Sequence, residues 1–278
     1  MRIGFHFPFA GGLIHLKERI RRSRGSAYQV FTRGIRGGDL KELHKGRLER
    51  FLAFQEERKL MPVIHAPYTY NLANLMNEDE KKVLEDLEYI KQFKSAYYVM
   101  NPGRSVDLEP ISALENVRYQ LWDTLNKTDW YGEILMKNFR GAGTELAYDL
   151  RDWKELVTFH PQVKGALDLS WLKIAGYEFE TMEKAYDLVG AIDDYIGWEN
   201  IKVLYVNDTS LPLGARREDR YPPPLGQGTI GYDGYYPILT HPIVQEKIWI
   251  SEYSSEGDLL WQTMNFLNEC KLDKSNHI

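Results

Sequence analysis

The stretch that decides the fold runs from Val63-Ile64-His65, through an amphipathic segment at 78–94, to Ala96-Tyr97-Tyr98-Val99-Met100. Two short apolar runs flank a longer segment whose apolar residues recur at helical spacing, which is typical of a strand–helix–strand unit. Because a helix separates the two strands, we expect them to pair in parallel, in a sheet whose faces are covered by helices.

The same unit recurs along the whole chain. Strands are predicted at 3–7, 28–32, 63–65, 96–100, 134–137, 165–168, 203–206 and 248–251. Helices are predicted at 13–24, 40–59, 78–94, 111–125, 144–157, 178–192 and 258–269. Eight strands, nearly all followed by a helix, fit a closed (β/α)8 TIM barrel in the α/β class, and a chain of 278 residues can form it as one domain, 1–278.

A long stretch rich in proline and glycine, at 209–236, follows the seventh predicted strand. No helical or strand pattern interrupts it, so it is predicted to be irregular. A loop of this length in a compact domain usually serves function, and loops after barrel strands lie on the face where active sites are built.

Composition sets further limits. The single cysteine, Cys270, excludes an internal disulfide and a cysteine-rich metal cluster. No apolar run approaches the roughly 18–20 residues of a membrane span, and the first residues read as a strand without a secretory signal. We therefore expect a cytoplasmic protein without membrane contact, acting as a monomer.

The charge is unevenly distributed. The net charge is −5, yet residues 1–60 contain 14 Lys and Arg against 6 Asp and Glu, a local balance of +8. Nine of these 14 basic residues follow one another between positions 19 and 50: Arg19, Arg21, Arg22, Arg24, Arg33, Arg36, Lys45, Arg47 and Arg50. Such asymmetry fits a phosphate-binding edge, but arginines at helical spacing are also ordinary on solvated helix faces. Charge alone favours the second interpretation.

Motifs at the predicted strand ends resemble the endonuclease IV family of abasic-site endonucleases, whose fold is a xylose isomerase-like TIM barrel. The similar segments keep the family's order along the chain. They are Ile3–His6 with Ala10–Leu13, Phe31–Arg33 with Arg36, His65 with Tyr68, Pro102–Gly103, Asn138 with Gly141–Leu146, Asp168 with Ala175–Tyr177, Asn207–Asp208 with Asp219–Arg220, Leu225–Gly231, and Glu252. Each segment is a weak signal, and their shared order carries the resemblance.

The resemblance implies a three-zinc site, but most of the ligand positions are changed. His65, Asp168, Asp219 and Glu252 match the family's ligand types, whereas Asn101, Lys137, Trp171, Tyr205 and Tyr221 replace its other ligands. Trp and the lysine ammonium have no lone pair to donate, and Asn or neutral Tyr is a poor zinc ligand. We therefore expect no cofactor or a single divalent metal, with zinc as one candidate, rather than a three-zinc cluster.

Lys137 stands where the family has a metal-bridging glutamate. If Asp168, Glu252 and Asp219 converge, their like charges need a cation, and the lysine ammonium can supply it while the new aromatic side chains fill the vacated volume. One interpretation is a salt-bridged barrel mouth without chemistry. Another keeps Lys137 and Glu252 as catalytic residues, with Lys137 attacking the aldehyde of an abasic sugar in a metal-free lyase reaction.

The DNA-contacting positions are better retained. The family inserts an arginine and a tyrosine into the duplex at an abasic site, and Arg36 and Tyr68 hold these positions, with Arg33 and Arg220 as further candidates for DNA contact. The resemblance implies a protein that recognises abasic or distorted DNA, with the zinc-dependent phosphodiester hydrolysis weakened, altered or lost. Two alternatives remain open: a sugar or sugar-phosphate-binding barrel, and a catalytically silent scaffold.

Overall fold

A parallel barrel of eight strands forms the centre of the molecule. The computed structural model describes residues 2–253 and 257–272. The strands are β1 Arg2–His6, β2 Ala27–Phe31, β3 Met61–His65, β4 Tyr97–Met100, β5 Glu133–Lys137, β6 Val163–Asp168, β7 Ile201–Tyr205 and β8 Ile248–Ser251. Every neighbouring pair is parallel, and β8 pairs with β1, so the barrel closes in sequence order. The predicted TIM barrel is confirmed; the predicted domain limits also include Met1, 254–256 and 273–278, which lie outside the described residues.

Helices cover the outside of the barrel. They are α1 Gly12–Ser23, α2 Lys45–Glu57, α3 Asp79–Lys91, α4 Pro110–Lys127, α5 Leu150–Val157, α6 Leu169–Ala175, α7 Met182–Tyr195, α8 Gly231–Thr240, α9 Pro242–Gln245 and α10 Gly257–Leu272. A 3-10 turn at Trp198–Asn200 precedes β7. In the described part of the chain, none of the helices has both the length and the apolar character needed to cross a membrane.

Two sequence predictions are wrong in detail. The helix predicted at 144–157 is only α5, because Glu145 accepts a hydrogen bond from the Ala142 amide and ion-pairs with Arg104, which holds the preceding residues as a loop. The stretch predicted to be irregular at 209–236 contains the beginning of α8, and the short helix α6 was not predicted at all.

The interior of the barrel consists of an apolar layer to which the strands contribute in turn. Its members are Ala27, Val63, Val99, Leu135, Ala166, Val203, Tyr205, Ile248 and Ile250. Successive side chains of a strand point to opposite faces, so a residue two positions further along points into the barrel again. This period places a second layer of side chains at the carboxyl ends of the strands, which we call the mouth layer.

Gly4 of β1 is the point of closest approach between the first two strands. A Cβ atom at this position would lie 2.7 Å from the backbone carbonyl of Ala27. Strand pairing on both sides leaves β1 no room to shift, since Gly4 lies beside Ala27 of β2 and Ile250 of β8.

We therefore expect Gly4→Ala to lower the free energy of unfolding by roughly 1–3 kcal/mol through overpacking. Gly190→Ala is the matched control, because Gly190 lies in α7 and a Cβ there has nothing within 4 Å. The control substitution should raise stability by roughly 0.5–1 kcal/mol, as alanine is the better helix former. Urea denaturation measures both, and equal changes would contradict the steric argument.

Candidate functional site at the barrel mouth

The mouth layer is a ring of polar and aromatic side chains, one from each strand or from the residue that follows it. Its members are His6, Gln29, His65, Asn101, Lys137, Asp168, Tyr205 and Glu252. Five of them, Gln29, His65, Lys137, Asp168 and Tyr205, are fully buried, and Asn101 is nearly so. The barrel fold thus brings together residues that are widely separated in the chain, and it excludes most water from them.

Lys137 lies at the centre of this layer. Its Nζ atom is 3.0 Å from Asp168 Oδ2 and 2.9 Å from Glu252 Oε2. The same atom lies 3.8 Å from the ring centre of Tyr205 and 3.9 Å from that of Trp171, so two aromatic faces stabilise the charge as well. The predicted pairing of Lys137 is confirmed, and it involves both carboxylates.

Glu252 is held in its charged form by several partners. Its Oε1 accepts hydrogen bonds from Gln29 Nε2 at 3.1 Å and from the Tyr68 hydroxyl at 3.3 Å. Burial is the largest single influence and would raise the pKa of Glu252, but the charge of Lys137, its hydrogen bond and other nearby groups together outweigh burial and lower that pKa below its ordinary value. The carboxylate is therefore ionised at neutral pH.

Asp168 joins the mouth layer to the helix that follows it. Its Oδ1 accepts hydrogen bonds from Ser170 Oγ at 2.7 Å and from the Trp171 amide at 3.1 Å, which caps α6, while Oδ2 faces Lys137. Because the cap fixes the start of α6, Trp171 is positioned over the ammonium. The Trp171 indole also stacks on Phe139, with 5.5 Å between the ring centres.

Two histidines of the mouth layer are neutral at physiological pH. Burial and then the charge of Lys137 lower the pKa of His65 to about 3. The pKa of His6 is lowered to about 4, and burial is the largest cause. His65 Nδ1 donates to the Ala66 carbonyl at 2.6 Å, so its Nε2 carries the lone pair and has no hydrogen-bond partner among the described residues.

Gln29 is the member of the mouth layer that sequence reasoning missed. It donates to Glu252 and to His6 Nδ1, and its Oε1 accepts from the Tyr205 hydroxyl at 2.5 Å. A polar residue inside the otherwise apolar run of β2 was the available signal. The buried Asn101 Oδ1 has no partner within the described part of the chain.

Asp219 and Tyr221 do not join the mouth layer. Asp219 accepts from Thr209 Oγ1 and the Ser210 amide, both at 2.6 Å, and from the Tyr221 amide at 3.2 Å, so it orders its own loop. Tyr221 was expected to fill space in the mouth, but its side chain is 87% exposed. The residue belongs to a loop above the barrel, where no strand directs it inward. Trp171 and Tyr205 do fill the mouth as expected.

Comparison with known proteins shows which family shares this architecture. The model of the family described as xylose isomerase-like TIM barrel matches residues 23–270. A protein from Carboxydothermus hydrogenoformans, named probable endonuclease 4, is 33% identical over 264 residues, which is 92% of each chain. The chain belongs to the endonuclease IV family of xylose isomerase-like TIM barrels.

Further similarities agree with this assignment. The crystal structure of endonuclease IV from Thermus thermophilus superposes with a TM-score of 0.80 at 26% identity, covering 97% of this chain and 100% of the other. A D-tagatose 3-epimerase-like protein superposes with a TM-score of 0.72 at 17% identity over 98% of this chain and 97% of its own, which reflects the shared fold alone.

The residues present do not fit the family's three-zinc cluster. An ammonium group lies between the two carboxylates, and Asp219 is occupied by its own loop. Within residues 2–253 and 257–272, no three His, Cys, Asp or Glu side chains converge in a way that could hold a metal ion. Of the four expected metal ligands, Asp168 and Glu252 pair with Lys137, His65 belongs to the same layer but bonds to the Ala66 carbonyl, and Asp219 lies in its own loop.

The candidate DNA-contacting residues of this endonuclease IV family member differ in whether their side chains are exposed and free of partners. Arg36 and Arg220 are exposed, and neither side chain contacts a partner in the described part of the chain. Arg33 is not available, because its guanidinium donates to Asp86 at 3.0 Å, Glu85 at 2.6 Å and the Gly38 carbonyl at 2.9 Å. The buried Asp86, which also accepts from three hydroxyl groups, draws Arg33 inward.

Tyr68 points into the mouth rather than outward. Its amide donates to the Ile35 carbonyl at 3.0 Å, so its loop does adjoin the Arg36 loop as predicted. Its ring packs edge-on against Phe31 and His65, and its hydroxyl donates to Glu252. The prediction that both side chains project from one face is wrong for Tyr68, because the Glu252 carboxylate offers its hydroxyl an internal acceptor.

The basic N-terminal segment, residues 1–60, does not form one edge around Arg36. Helix α1 begins beside the mouth, and its twelve residues carry the chain roughly 18 Å toward the opposite end of the barrel. Arg21, Arg22 and Arg24 therefore lie at the far end, next to the start of β1. Sequence proximity was misleading here, since an antiparallel helix separates its two ends by its own length.

Replacing Lys137 with Met should leave two buried carboxylates without a cation, so we expect the free energy of unfolding at pH 7 to fall by roughly 3–5 kcal/mol. In the wild type the pKa of Glu252 is lowered, so its stabilising contribution is present above the ordinary glutamate pKa and is lost as the pH falls below it. In the folded variant the two carboxyls should bind protons more readily. The difference in unfolding free energy between the variant and the wild type should therefore shrink from pH 7 to pH 5.

Lys173→Met is the control for this experiment. Lys173 is also buried, and it pairs at 2.8 Å with Glu180, whose side chain is one-third exposed and can be hydrated. We expect a smaller loss in the control and no recovery at pH 5. Urea denaturation at both pH values measures these changes. A loss of unfolding free energy in Lys137→Met that is the same at pH 7 and pH 5 would contradict the charge argument.

Proposed function

We propose that this protein binds DNA that carries an abasic or otherwise distorted site, in the context of DNA repair, without the zinc-dependent hydrolysis that its family implies. The Carboxydothermus hydrogenoformans relative, which is 33% identical and is named probable endonuclease 4, supports the DNA substrate. The observation that carries the loss of zinc chemistry is the Lys137 ammonium held between Asp168 and Glu252.

Lys137 accounts for how the mouth tolerates two carboxylates without a metal. Asp168 and Glu252 both lie within 3.0 Å of the ammonium, and two buried carboxylates without that cation would be strongly destabilising. A divalent metal between them would have to displace a buried positive charge. The site is therefore arranged around one lysine rather than around a cluster of zinc ions.

The same geometry argues against Lys137 as a nucleophile. Attack on the aldehyde of an abasic sugar requires a neutral amine that the sugar can reach. Two carboxylates and two aromatic faces favour the ammonium form, and the side chain is fully buried. The lyase reaction and the assignment of Lys137 and Glu252 as catalytic residues are thus not favoured. Because Lys137, Asp168 and Tyr205 are fully buried, the mouth layer does not favour the sugar-binding alternative.

DNA contact falls instead to exposed side chains around the mouth. Arg36 follows β2 and Arg220 follows β7, so they flank the mouth from two sides. Neither guanidinium is engaged by a partner within residues 2–253 and 257–272, which leaves both free to bind phosphate groups. Their positions after strand ends fit the usual location of barrel binding sites.

The experiment is binding of the full chain to a labelled duplex that contains a tetrahydrofuran abasic analogue, with the intact duplex in parallel. We expect tighter binding to the abasic duplex, affinity that falls steeply with salt concentration, and no incision with zinc added. Arg36→Ala should weaken binding severalfold and reduce the salt slope by about 1.

Arg58→Ala is the matched control, because Arg58 is also an exposed arginine without a side-chain partner among the described residues, and it lies at the end of α2 away from the mouth. It should bind like the wild type. Zinc-dependent incision of the duplex would overturn the proposed loss of hydrolysis. An affinity that depends neither on salt concentration nor on the presence of the abasic site would overturn the proposed DNA recognition.

A further inference from the structure

The loop between β7 and α8 is held firmly at its base. Asp208, which is buried, accepts hydrogen bonds from five backbone amides: those of Thr209, Gly226, Gly228, Ile230 and Gly231, at 2.8–3.3 Å. Asp219 ties the middle of the loop to Thr209 and Ser210. Two carboxylates therefore organise a segment that has little secondary structure of its own.

The loop also packs against the rim of the mouth. The Gly214 amide donates to the Lys173 carbonyl and the Arg216 amide to the Ile174 carbonyl, which joins the loop to α6. Ala215 packs on the apolar cluster that contains Trp171.

This anchored loop presents one aromatic side chain to solvent. Tyr221 is 87% exposed, and its ring makes no contact with another aromatic or charged group in the described part of the chain. Three prolines follow it, Pro222, Pro223 and Pro224, and a residue before proline is restricted to extended backbone conformations. The ring is thus presented on a backbone with little freedom to lose on binding.

Two arginines accompany the exposed ring. Arg217 and Arg220 are exposed, and neither has a hydrogen bond or ion pair within residues 2–253 and 257–272. The acids between them are not their partners: Asp219 is turned into the loop, and within residues 2–253 and 257–272 no ion pair joins Glu218 to either arginine. An aromatic face with unpaired arginines beside it is the combination that binds single-stranded nucleic acid, through base stacking and phosphate contact.

We propose that Tyr221 stacks on an unpaired nucleobase of the bound DNA and that Arg217 and Arg220 contact the adjoining phosphates. This inference rests on the proposed DNA binding. It assigns the aromatic contact to the β7–α8 loop, on a different side of the mouth from Arg36. Stacking is tolerant of base identity, since every base has a π face, so the site would read the presence of an unstacked base rather than its sequence.

The test measures binding of the full chain, at low salt, to a duplex with a tetrahydrofuran site opposite 2-aminopurine. Tyr221→Ala should weaken binding about tenfold and leave the salt slope unchanged, because no charge is lost. Tyr221→Trp should retain the affinity and quench the 2-aminopurine fluorescence, as a stacked indole would. The double variant Arg217→Ala/Arg220→Ala should reduce the salt slope by up to about 2.

Tyr131→Ala is the matched control, because Tyr131 is a tyrosine of the same exposure, 86%, in the loop that precedes β5 at the opposite end of the barrel. Wild-type affinity in the control supports the inference. Equal affinity of Tyr221→Ala and wild type, or equal losses in Tyr221→Ala and Tyr131→Ala, would overturn it and leave the proposed function standing. Failure of the wild type to bind either duplex would overturn the proposed function itself.

Discussion

The buried ammonium of Lys137 is the constraint around which the barrel mouth is organised. Removing such a charge from water costs several kcal/mol unless other groups compensate it. Asp168 and Glu252 supply the opposite charge, and the rings of Trp171 and Tyr205 supply two further favourable faces. Two carboxylates around one cation leave one negative charge in excess, which explains why additional donors surround the pair.

Those donors connect the mouth to the rest of the fold. Gln29 and Tyr68 donate to Glu252, so the second and third strand ends are positioned by the same carboxylate. The Ser170 hydroxyl and the Trp171 amide donate to Asp168, which starts α6 and fixes the indole above Lys137. Buried polar groups of this kind stabilise a fold only when each is satisfied, so the network acts as a unit. This coupling also explains why Tyr68 turns inward, away from the solvent.

In the function that we propose, nucleic-acid contact falls to the rim, because the mouth holds one negative charge in excess. Arg33 is drawn to the buried Asp86, and the α1 arginines are carried to the far end of the barrel. What remains exposed near the mouth is Arg36 on one side and the loop of Arg217, Arg220 and Tyr221 on another. In this arrangement the strand ends provide a rigid support, and the loops after β2 and β7 carry the groups that can reach DNA.

The sequence by itself determined the barrel, because apolar runs of strand length alternating with helical periodicity have few other solutions, and each of the eight strands is present. It also determined the pairing of Lys137, since carboxylates at converging strand ends require a cation. Gln29, the capping role of Asp168, and the positions of Asp219, Tyr221 and Arg33 were decided only by the tertiary structure. These features depend on which hydrogen-bond partner lies nearest across the barrel or within a loop, and such distances are fixed by long-range packing that local sequence patterns do not record.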